Sequence, residues 1–488
     1  MLKPTIGLEI HVELKTNSKM FCSCKNDPDE KQANFNVCPI CMGHPGTLPT
    51  ANKEAIKKVI KTGIALGCNI LAESKFDRKN YFYPDLPKGY QISQYDKPFC
   101  QQGKLEIPVS HDFSKADSKT IRITRIHLEE DTGRLIHPDG EEYSLVDYNR
   151  AGIPLMELVT EPDLESGLEV RRFAEELQSI LRYLGVSDAD MEKGQMRVEV
   201  NISLSATKKL GTKVEIKNLN SFRSAEKAVD YEIKRQTEVL KNKEKVIQET
   251  RGWDDGGGET FSQRKKEEAH DYRYFPEPDL PPVIIDPQLI NSIRAEIPEL
   301  PAEKRHRFEK EYGLGPKSTE IFVDNRDLSE YFEKTVSELK SEAKSSDFKD
   351  LIKASANYLL TDVQGILGGK AFVEKEFKIS PENFGEFVSL VNSGKITSKT
   401  AKDVLSTMVK IGGDPSNIIE KGGLGQVSDE TEIENIVRGV IEKNPKPVED
   451  YRSGAKNALQ FLAGQVMAAT KGRANPAIVH KLLEKLLK

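Results

Sequence analysis

No apolar run in this 488-residue chain approaches the roughly 18 residues that a membrane-crossing helix needs, so no span is expected. The first residues, MLKPTIGLEIH, lack a basic leader followed by an apolar core, so no signal peptide is expected. Cysteine is scarce, with six residues in all. The default is therefore a cytoplasmic chain with reduced thiols, which disfavours a disulfide framework. No GxxxxGK[ST] loop occurs, and GWDDGGGET (252–260) is not one, so any nucleotide must bind without a P-loop. There is no G-x-S-x-G elbow and no Gly-Ser-rich amidase loop to position a serine nucleophile. Charge of one sign is also missing: the formal net charge is only -5. That does not advertise nucleic-acid binding for the whole chain, but it leaves room for a local basic patch. With 37% hydrophobic and 31% charged residues, the chain reads as soluble and globular, long enough for two to four domains.

What is present is organised. Residues 1–290 read as mostly strand with a few helices. TIGLEIHVEL (5–14) alternates strictly, setting Glu9, His11 and Glu13 against Ile10, Val12 and Leu14. QMRVEVNIS (195–203) sets Arg197, Glu199 and Asn201 against Met196, Val198, Val200 and Ile202. GTKVEIKNLN (211–220) sets Lys213, Glu215 and Lys217 against Val214 and Ile216. Such strands build a sheet with one packed face and one polar face. Phe173, Leu177, Ile180, Leu181 and Leu184 form the apolar stripe of a helix near 166–184, with Gly185 as its stop. A second helix is expected to start after Asn220-Ser221 and run toward Lys241.

The proline-rich PEPDLPPVIIDP (276–287) marks a boundary. Beyond it helix-period patterns replace strand patterns, and a glycine-rich stretch over 410–429 opens a last helical part. The expectation is an α+β chain. A cradle domain over 1–290 is built on a largely antiparallel sheet with flanking helices; an all-α domain follows over 291–410, and a small helical tail domain over 411–488. Between 451 and 488 seven Lys and Arg stand against one acid, Glu484.

Four cysteines crowd into FCSCKNDPDEKQANFNVCPICMGHP (21–45): Cys22, Cys24, Cys38 and Cys41. A C-x-C pair, thirteen residues and a C-x2-C pair suit tetrahedral zinc, whose four-cysteine sites are closed and structural. The loop between the pairs, rich in Asn, Asp and Lys, has little core of its own, so metal binding would supply its folding energy. No βαβ pattern surrounds Cys38 and Cys41, which disfavours a thioredoxin-like motif. Cys68 and Cys100 are isolated and read as ordinary cysteines. Four sulfur ligands leave no open position, so this zinc is not expected to be the catalyst.

The chemistry is therefore sought among the carboxylates. Glu9, His11 and Glu13 share one strand face, and RIHLEEDTGRL (125–135) adds Glu129, Glu130 and Asp131. Glu199 and Glu215 stand on polar strand faces of their own. Oxygen-rich groups with a histidine suit Mg2+, although a charged strand face often just meets water. Lys88, Arg150, Arg197, Arg251, Arg264 and Arg273 are candidate phosphate partners.

Long blocks of this sequence resemble a known family. They are GLEIHVEL (7–14), the C-x-C…CPICMGHPGTLP block (22–49), YFYPDLPKGYQISQ (81–94), IHLEEDTGRL (126–135), DYNRAGIPLMELVTEPD (147–163), VEIKNLNSF (214–222), DYRYFPEPDLPP (271–282) and GQVMAATKGRANPAIVHKLL (464–483). In order and over nearly the whole chain, they are similar to the B subunit of the bacterial aspartyl/glutamyl-tRNA amidotransferase. The resemblance implies that ATP phosphorylates the side-chain carboxylate of misacylated Glu-tRNA(Gln) or Asp-tRNA(Asn), which ammonia then amidates. It implies two partners in a heterotrimer: a separate amidase subunit, which releases the ammonia from glutamine, plus a small third subunit that ties the pair together. It implies a Mg2+ site at Glu9, His11, Glu129 or Glu130, Glu199 and Glu215, with Lys88 along the ammonia route. Arg150, Arg197, Arg251 and Arg273 are then the ATP candidates, the zinc is structural, and Lys456, Lys471, Arg473 and Lys481 are candidates for tRNA phosphates. One departure concerns Glu199: the family commonly has Asp there, so a water-mediated contact is an alternative to direct ligation. The competing expectation is a zinc-stabilised tRNA-binding scaffold without catalysis.

Overall fold

Alternation decides the first strand. Ile6, Leu8, Ile10 and Val12 are buried to 1% exposure or less, while Glu9 and His11 between them point to the other face. The structure, a computed structural model, describes residues 2–110, 118–265, 271–342, 347–424, 429–455, 457–470 and 472–487. The chain divides into two units, 1–303 and 304–488.

The first unit begins with β1 (Lys3–Glu13), α1 (Lys53–Ala65), β2 (Asn69–Ile70), β3 (Glu73–Ser74), β4 (Asp77–Asn80) and β5 (Tyr90–Ser93). It continues through β6 (Cys100–Pro108), β7 (Ser118–Glu130), β8 (Arg134–Ile136), β9 (Leu145–Asp147) and β10 (Pro154–Thr160). Next come α2 (Gly167–Tyr183), β11 (Met196–Ser205), β12 (Val214–Leu219) and α3 (Phe222–Lys241). The unit ends with β13 (Glu249–Asp254), β14 (Glu259–Lys265), β15 (Phe275–Pro276), β16 (Val283–Ile284) and α4 (Pro287–Ala295).

Nine strands form one sheet in the order β14-β13-β12-β11-β1-β10-β7-β6-β2, so the amino-terminal strand lies at its centre. Every pairing is antiparallel except β12 with β13. β15, β4 and β5 make a small separate sheet. The expected helices form where their caps stand. Ser166 accepts the Glu169 N–H at 3.2 Å and Ser221 accepts the Ser224 N–H at 3.0 Å, and Gly185 follows α2 with φ of 64°. Both helices bury apolar stripes in the core cluster that also takes the even-numbered residues of β1. At Gly167 the helices nearly touch: a Cβ there would meet the Glu226 carbonyl at 2.4 Å.

In the second unit the described residues form helices and short tighter or wider turns, with no strand. Two apolar clusters hold it, one from Phe308 to Met408 and one from Ile433 to Leu487. The α+β class expected from the sequence is the one observed, a large antiparallel-dominated sheet followed by an all-helical region. Among the described residues no helix is long and apolar enough to cross a membrane.

Candidate functional site

Strand register builds the site. On β1, His11 stands opposite Glu157 of β10 and Arg197 of β11, and Glu9 opposite Glu199. Glu157 in turn stands opposite His127 of β7. Directly opposed residues share a face, so His127, Glu157, His11 and Arg197 form one row across four strands on the polar side. His11 Nε2 lies 3.4 Å from Glu157, 3.7 Å from Glu129 and 3.9 Å from Glu9. His127 Nε2 lies 3.2 Å from Glu157 and 3.7 Å from Glu129. Lys79 of β4 brings its ammonium to 4.0 Å from Glu129.

The charges are mutually held. Burial pushes His127 down, but Glu157 and Glu129 outweigh it and set its pKa at about 9. His11 is raised against the same burial by Glu157 and Glu129. Burial opposes ionisation of Glu157 and Glu129; His127 and His11 hold Glu157 well down, and Lys79 and His127 hold Glu129 down. Glu9, desolvated and facing Glu157, is raised. Glu9, His11 and Glu157 can bring one donor atom each within 4.8 Å of one another, and so can His127, Glu129 and Glu157. That gives two candidate cation positions sharing Glu157, and hard oxygens with one imidazole apiece would suit Mg2+ or Mn2+ rather than a soft ion.

Around this row the expected residues separate. Glu129 and Glu130 are adjacent, so the pleat sends them to opposite faces. Glu129 joins the row. Glu130 is not brought to the expected Mg2+ group; it turns to the other side, where its carboxylate accepts hydrogen bonds from the Lys88 ammonium and the Ile92 N–H. Glu199 faces Glu9 but is paired to Lys217 at 2.8 Å, and Lys217 lies 3.7 Å from Glu215. Glu215, opposite Asn201 one strand further out, also accepts the Thr250 hydroxyl at 2.7 Å. Arg150 and Arg197 both donate to Asp131, at 2.8 and 2.9 Å, and Arg150 also donates to Glu13. Burial would raise Asp131, yet Arg197 and Arg150 take it down to about 2, whereas burial lifts Glu13 to about 7.

Arg251 is not brought to the row. Its register partner is Ile216, on the packed face, and its guanidinium is held by Thr260, Glu249 and Glu232 of α3. Arg273 is exposed, with φ of 46°, on the segment beside β4. In the second unit Arg473 donates to the carbonyls of Gly423 and Thr470, and Lys481 forms a surface pair with Glu430 at 3.2 Å. Lys456 and Lys471 lie outside the described residues.

The four thiols of the loop after β1 converge, all within 4.8 Å. Cys41 is drawn down to about 5 by hydrogen bonding from Cys22, then by Lys19 and the Cys38 N–H, which donates to its sulfur at 3.1 Å. Lys19, fully buried, bonds the Asn36 carbonyl at 2.7 Å and stands 4.0 Å from that sulfur. Four sulfurs gathered this closely beside a buried ammonium fit the donor set of a zinc site. The loop also walls a cavity of about 210 Å³ lined by Cys22, Cys41, Gly43, Lys88 and Glu130. Gly43 has φ of 68°, and a Cβ on it would meet Lys88 Cγ at 2.4 Å. Gly43→Ala is expected to cost at least about 1–2 kcal/mol from the left-handed backbone alone, plus displacement of Lys88. A denaturant midpoint matching the parent protein would refute that.

Sequence reasoning missed His127, Glu157, Lys79 and Lys19. The parity already applied to β1 could have found the first: in RIHLEED, Arg125, His127, Glu129 and Asp131 share one side, and Ile126, Leu128 and Glu130 the other. Glu157 sits inside PLMELV, which reads as apolar core, and only pairing reveals it.

Sheet, row and thiol loop define a protein with two kinds of donor cluster that could hold metal ions, one of carboxylate and imidazole and one of sulfur. Comparison with known proteins gives the family. Residues 4–291 match the model of the GatB/GatE catalytic domain, and residues 330–487 that of the GatB domain. A Persephonella marina protein, named as the B subunit of aspartyl/glutamyl-tRNA(Asn/Gln) amidotransferase, is 48% identical over 488 residues, covering 100% of this chain and 99% of its own. Proteins of that name from Crocosphaera subtropica and Thermotoga maritima are each 46% identical over 99% of this chain and 97% and 99% of their own lengths. The chain belongs to this B-subunit family.

Proposed function

We propose that this chain is the kinase and transamidase subunit of a glutamine-dependent tRNA amidotransferase, a carbon–nitrogen ligase. The names of the relatives support the coarser activity, tRNA-dependent amidotransfer by a multi-subunit enzyme. The observation that carries the finer reading is the row in which Glu157 lies between His11 and His127, with Glu9 and Glu129 at its sides.

In this reading ATP phosphorylates the side-chain carboxylate of Glu-tRNA(Gln), Asp-tRNA(Asn) or both, and ammonia then displaces phosphate from the acyl phosphate. Mg2+, held by Glu9, His11, Glu157, His127 and Glu129, would supply charge neutralisation between triphosphate and carboxylate. The chain's own cations do the rest. Lys79, Arg197 and Lys217 border the row and bind phosphate oxygens, while Asp131 keeps Arg150 and Arg197 aimed. Glu199 and Glu215 hold Lys217 in place and would add carboxylate charge on the metal's side of the row. Lys88 and Glu130 line the route that brings ammonia from the separate amidase subunit, while the small third subunit makes the complex a heterotrimer. Zinc on Cys22, Cys24, Cys38 and Cys41 is structural. The tail, with Arg473, Lys481, Lys456 and Lys471, meets tRNA phosphates, a contact that weakens as salt rises. The setting is the cytoplasm.

The test uses the complete complex with glutamine, ATP and Glu-tRNA(Gln). Glu9→Ala or His11→Ala should lower Gln-tRNA formation more than about a hundredfold. A normal rate refutes the site. ATP cleavage that needs Mg2+ and misacylated tRNA is expected; its absence would favour a non-catalytic tRNA scaffold.

A further inference from the structure

Beside the row lies an aromatic cluster that the chemistry above leaves unused. Tyr81 follows β4, Tyr95 follows β5, and Tyr272 and Tyr274 lead into β15. Tyr95 and Tyr274 stack with centroids 4.5 Å apart and planes 15° from parallel. Tyr272 meets Tyr274 edge-on at 6.0 Å and Tyr81 at 6.1 Å. The stack does not close over itself, since Tyr95 keeps 63% of its surface exposed.

The rings are not what holds the backbone there. The Asn80 N–H donates to the Tyr272 carbonyl at 2.9 Å, the Asn80 amide donates to the Arg273 carbonyl at 2.8 Å, and the Tyr95 N–H donates to Asp77 at 3.0 Å. Phe275 pairs with Arg78 in the small sheet. The exposed Tyr95 ring, backed by the part-exposed Tyr274, thus stands on a frame that strand pairing and the Asn80 and Asp77 hydrogen bonds already fix.

The cluster is also connected to the row. Lys79 lies 5.4 Å from the Tyr272 centroid and 4.0 Å from Glu129. One lysine therefore separates the carboxylates from the aromatic surface. The contacts run from Glu129 to Lys79 at 4.0 Å, from Lys79 to the Tyr272 ring at 5.4 Å and from Tyr272 to Tyr274 at 6.0 Å, so the row and the aromatic cluster adjoin through one cation.

We propose that the Tyr95–Tyr274 stack, with Tyr272 behind it, is the subsite for an adenine base. This rests on the function proposed above, because adenine is the base that both of its substrates present: ATP at one end, tRNA at its 3′-terminal nucleotide. Stacking suits such a site, since every base has a π-face and tyrosine offers a rigid one, for about 1–3 kcal/mol per base. Exposed Arg273 stands on the same segment, where a backbone phosphate next to the base would pass.

The experiment uses the complete complex and two variants, Tyr95→Ala and Tyr95→Phe. KM is measured for ATP at saturating Glu-tRNA(Gln) and for Glu-tRNA(Gln) at saturating ATP, together with kcat and the melting temperature. Tyr95→Ala should raise one KM roughly tenfold while kcat changes far less and the melting temperature holds. Tyr95→Phe, which keeps the ring, should restore that KM. A rise for ATP assigns the stack to the nucleotide; a rise for tRNA assigns it to the acceptor end. Two unchanged KM values overturn the subsite, as does a Phe variant no better than Ala, or a melting temperature that falls in step with KM. A parent complex that makes no Gln-tRNA at all would overturn the proposed function itself; a competent parent with an indifferent Tyr95→Ala overturns the subsite alone.

Discussion

Glu157→Gln should lower metal-dependent amidation on the order of 10^3-fold. Glu157 is common to both candidate cation positions, so neutralising it weakens two donor sets at once. It is 3% exposed, so no solvent replaces the lost charge. It also lies within 3.4 Å of both imidazoles, and removing one partner from a buried charge cluster costs about 3–5 kcal/mol. Part of that cost is relieved because His11 and His127 can release their protons. Activity and stability therefore separate: the variant should stay folded at 25 °C, melt earlier, and show no gain from raised Mg2+. An amidation rate within tenfold of the parent would remove Glu157 from the site.

Chelated, metal-free protein should lose about 3 kcal/mol of stability as pH rises from 6.5 to 9. His127 is held at about 9, whereas an unfolded imidazole titrates near 6.5. A base with a raised folded pKa binds its proton more tightly in the folded chain. That contribution is fully present below pH 6.5 and is lost as pH passes through 9. Glu13 acts in another window. Its folded pKa of about 7 lies above the ordinary 4.5, so folding is penalised progressively between those values as its carboxyl ionises. Urea unfolding at a series of pH values separates the two. His127→Gln should flatten the upper slope and leave the lower one, which Glu13→Gln should flatten. Saturating Mg2+ should suppress the upper slope, since a ligating imidazole must be neutral, and binding should release protons to the buffer. An upper slope that survives His127→Gln would refute the assignment.

Much of this site could be read one strand at a time. The period of two in GLEIHVEL places Glu9 and His11 together, because nothing but pleat geometry is needed. The C-x-C and C-x2-C spacings bring four thiols into one loop, because so short a loop has little freedom to do otherwise. Groups joined by pairing were harder. The family resemblance leaves Glu129 and Glu130 as alternatives, although the parity of RIHLEED sets Glu129 beside His127; the structure gives Glu129 to the row and Glu130 to Lys88. Arg251 looked like a phosphate ligand because it is an arginine near carboxylates. Its parallel pairing with β12 turns it to the helix side instead, where Glu232 and Glu249 hold it.

The amino-acid sequence by itself determined β1, β11 and β12, the stop of α2 at Gly185, the start of α3 after Ser221, the four-cysteine loop and the α+β class, because periodicity, capping and ligand spacing are local. It also carried the family, through long blocks kept in order. Only the tertiary structure decided which side chains meet. It set β1 between β10 and β11, and so made Glu157 the carboxylate between two histidines. It brought Gly43 against Lys88, and the tyrosines of two distant segments into one surface. The reason is physical: a strand's own pattern says which face a residue takes, but its partner across the sheet depends on strand order and register, which burial of the whole core selects.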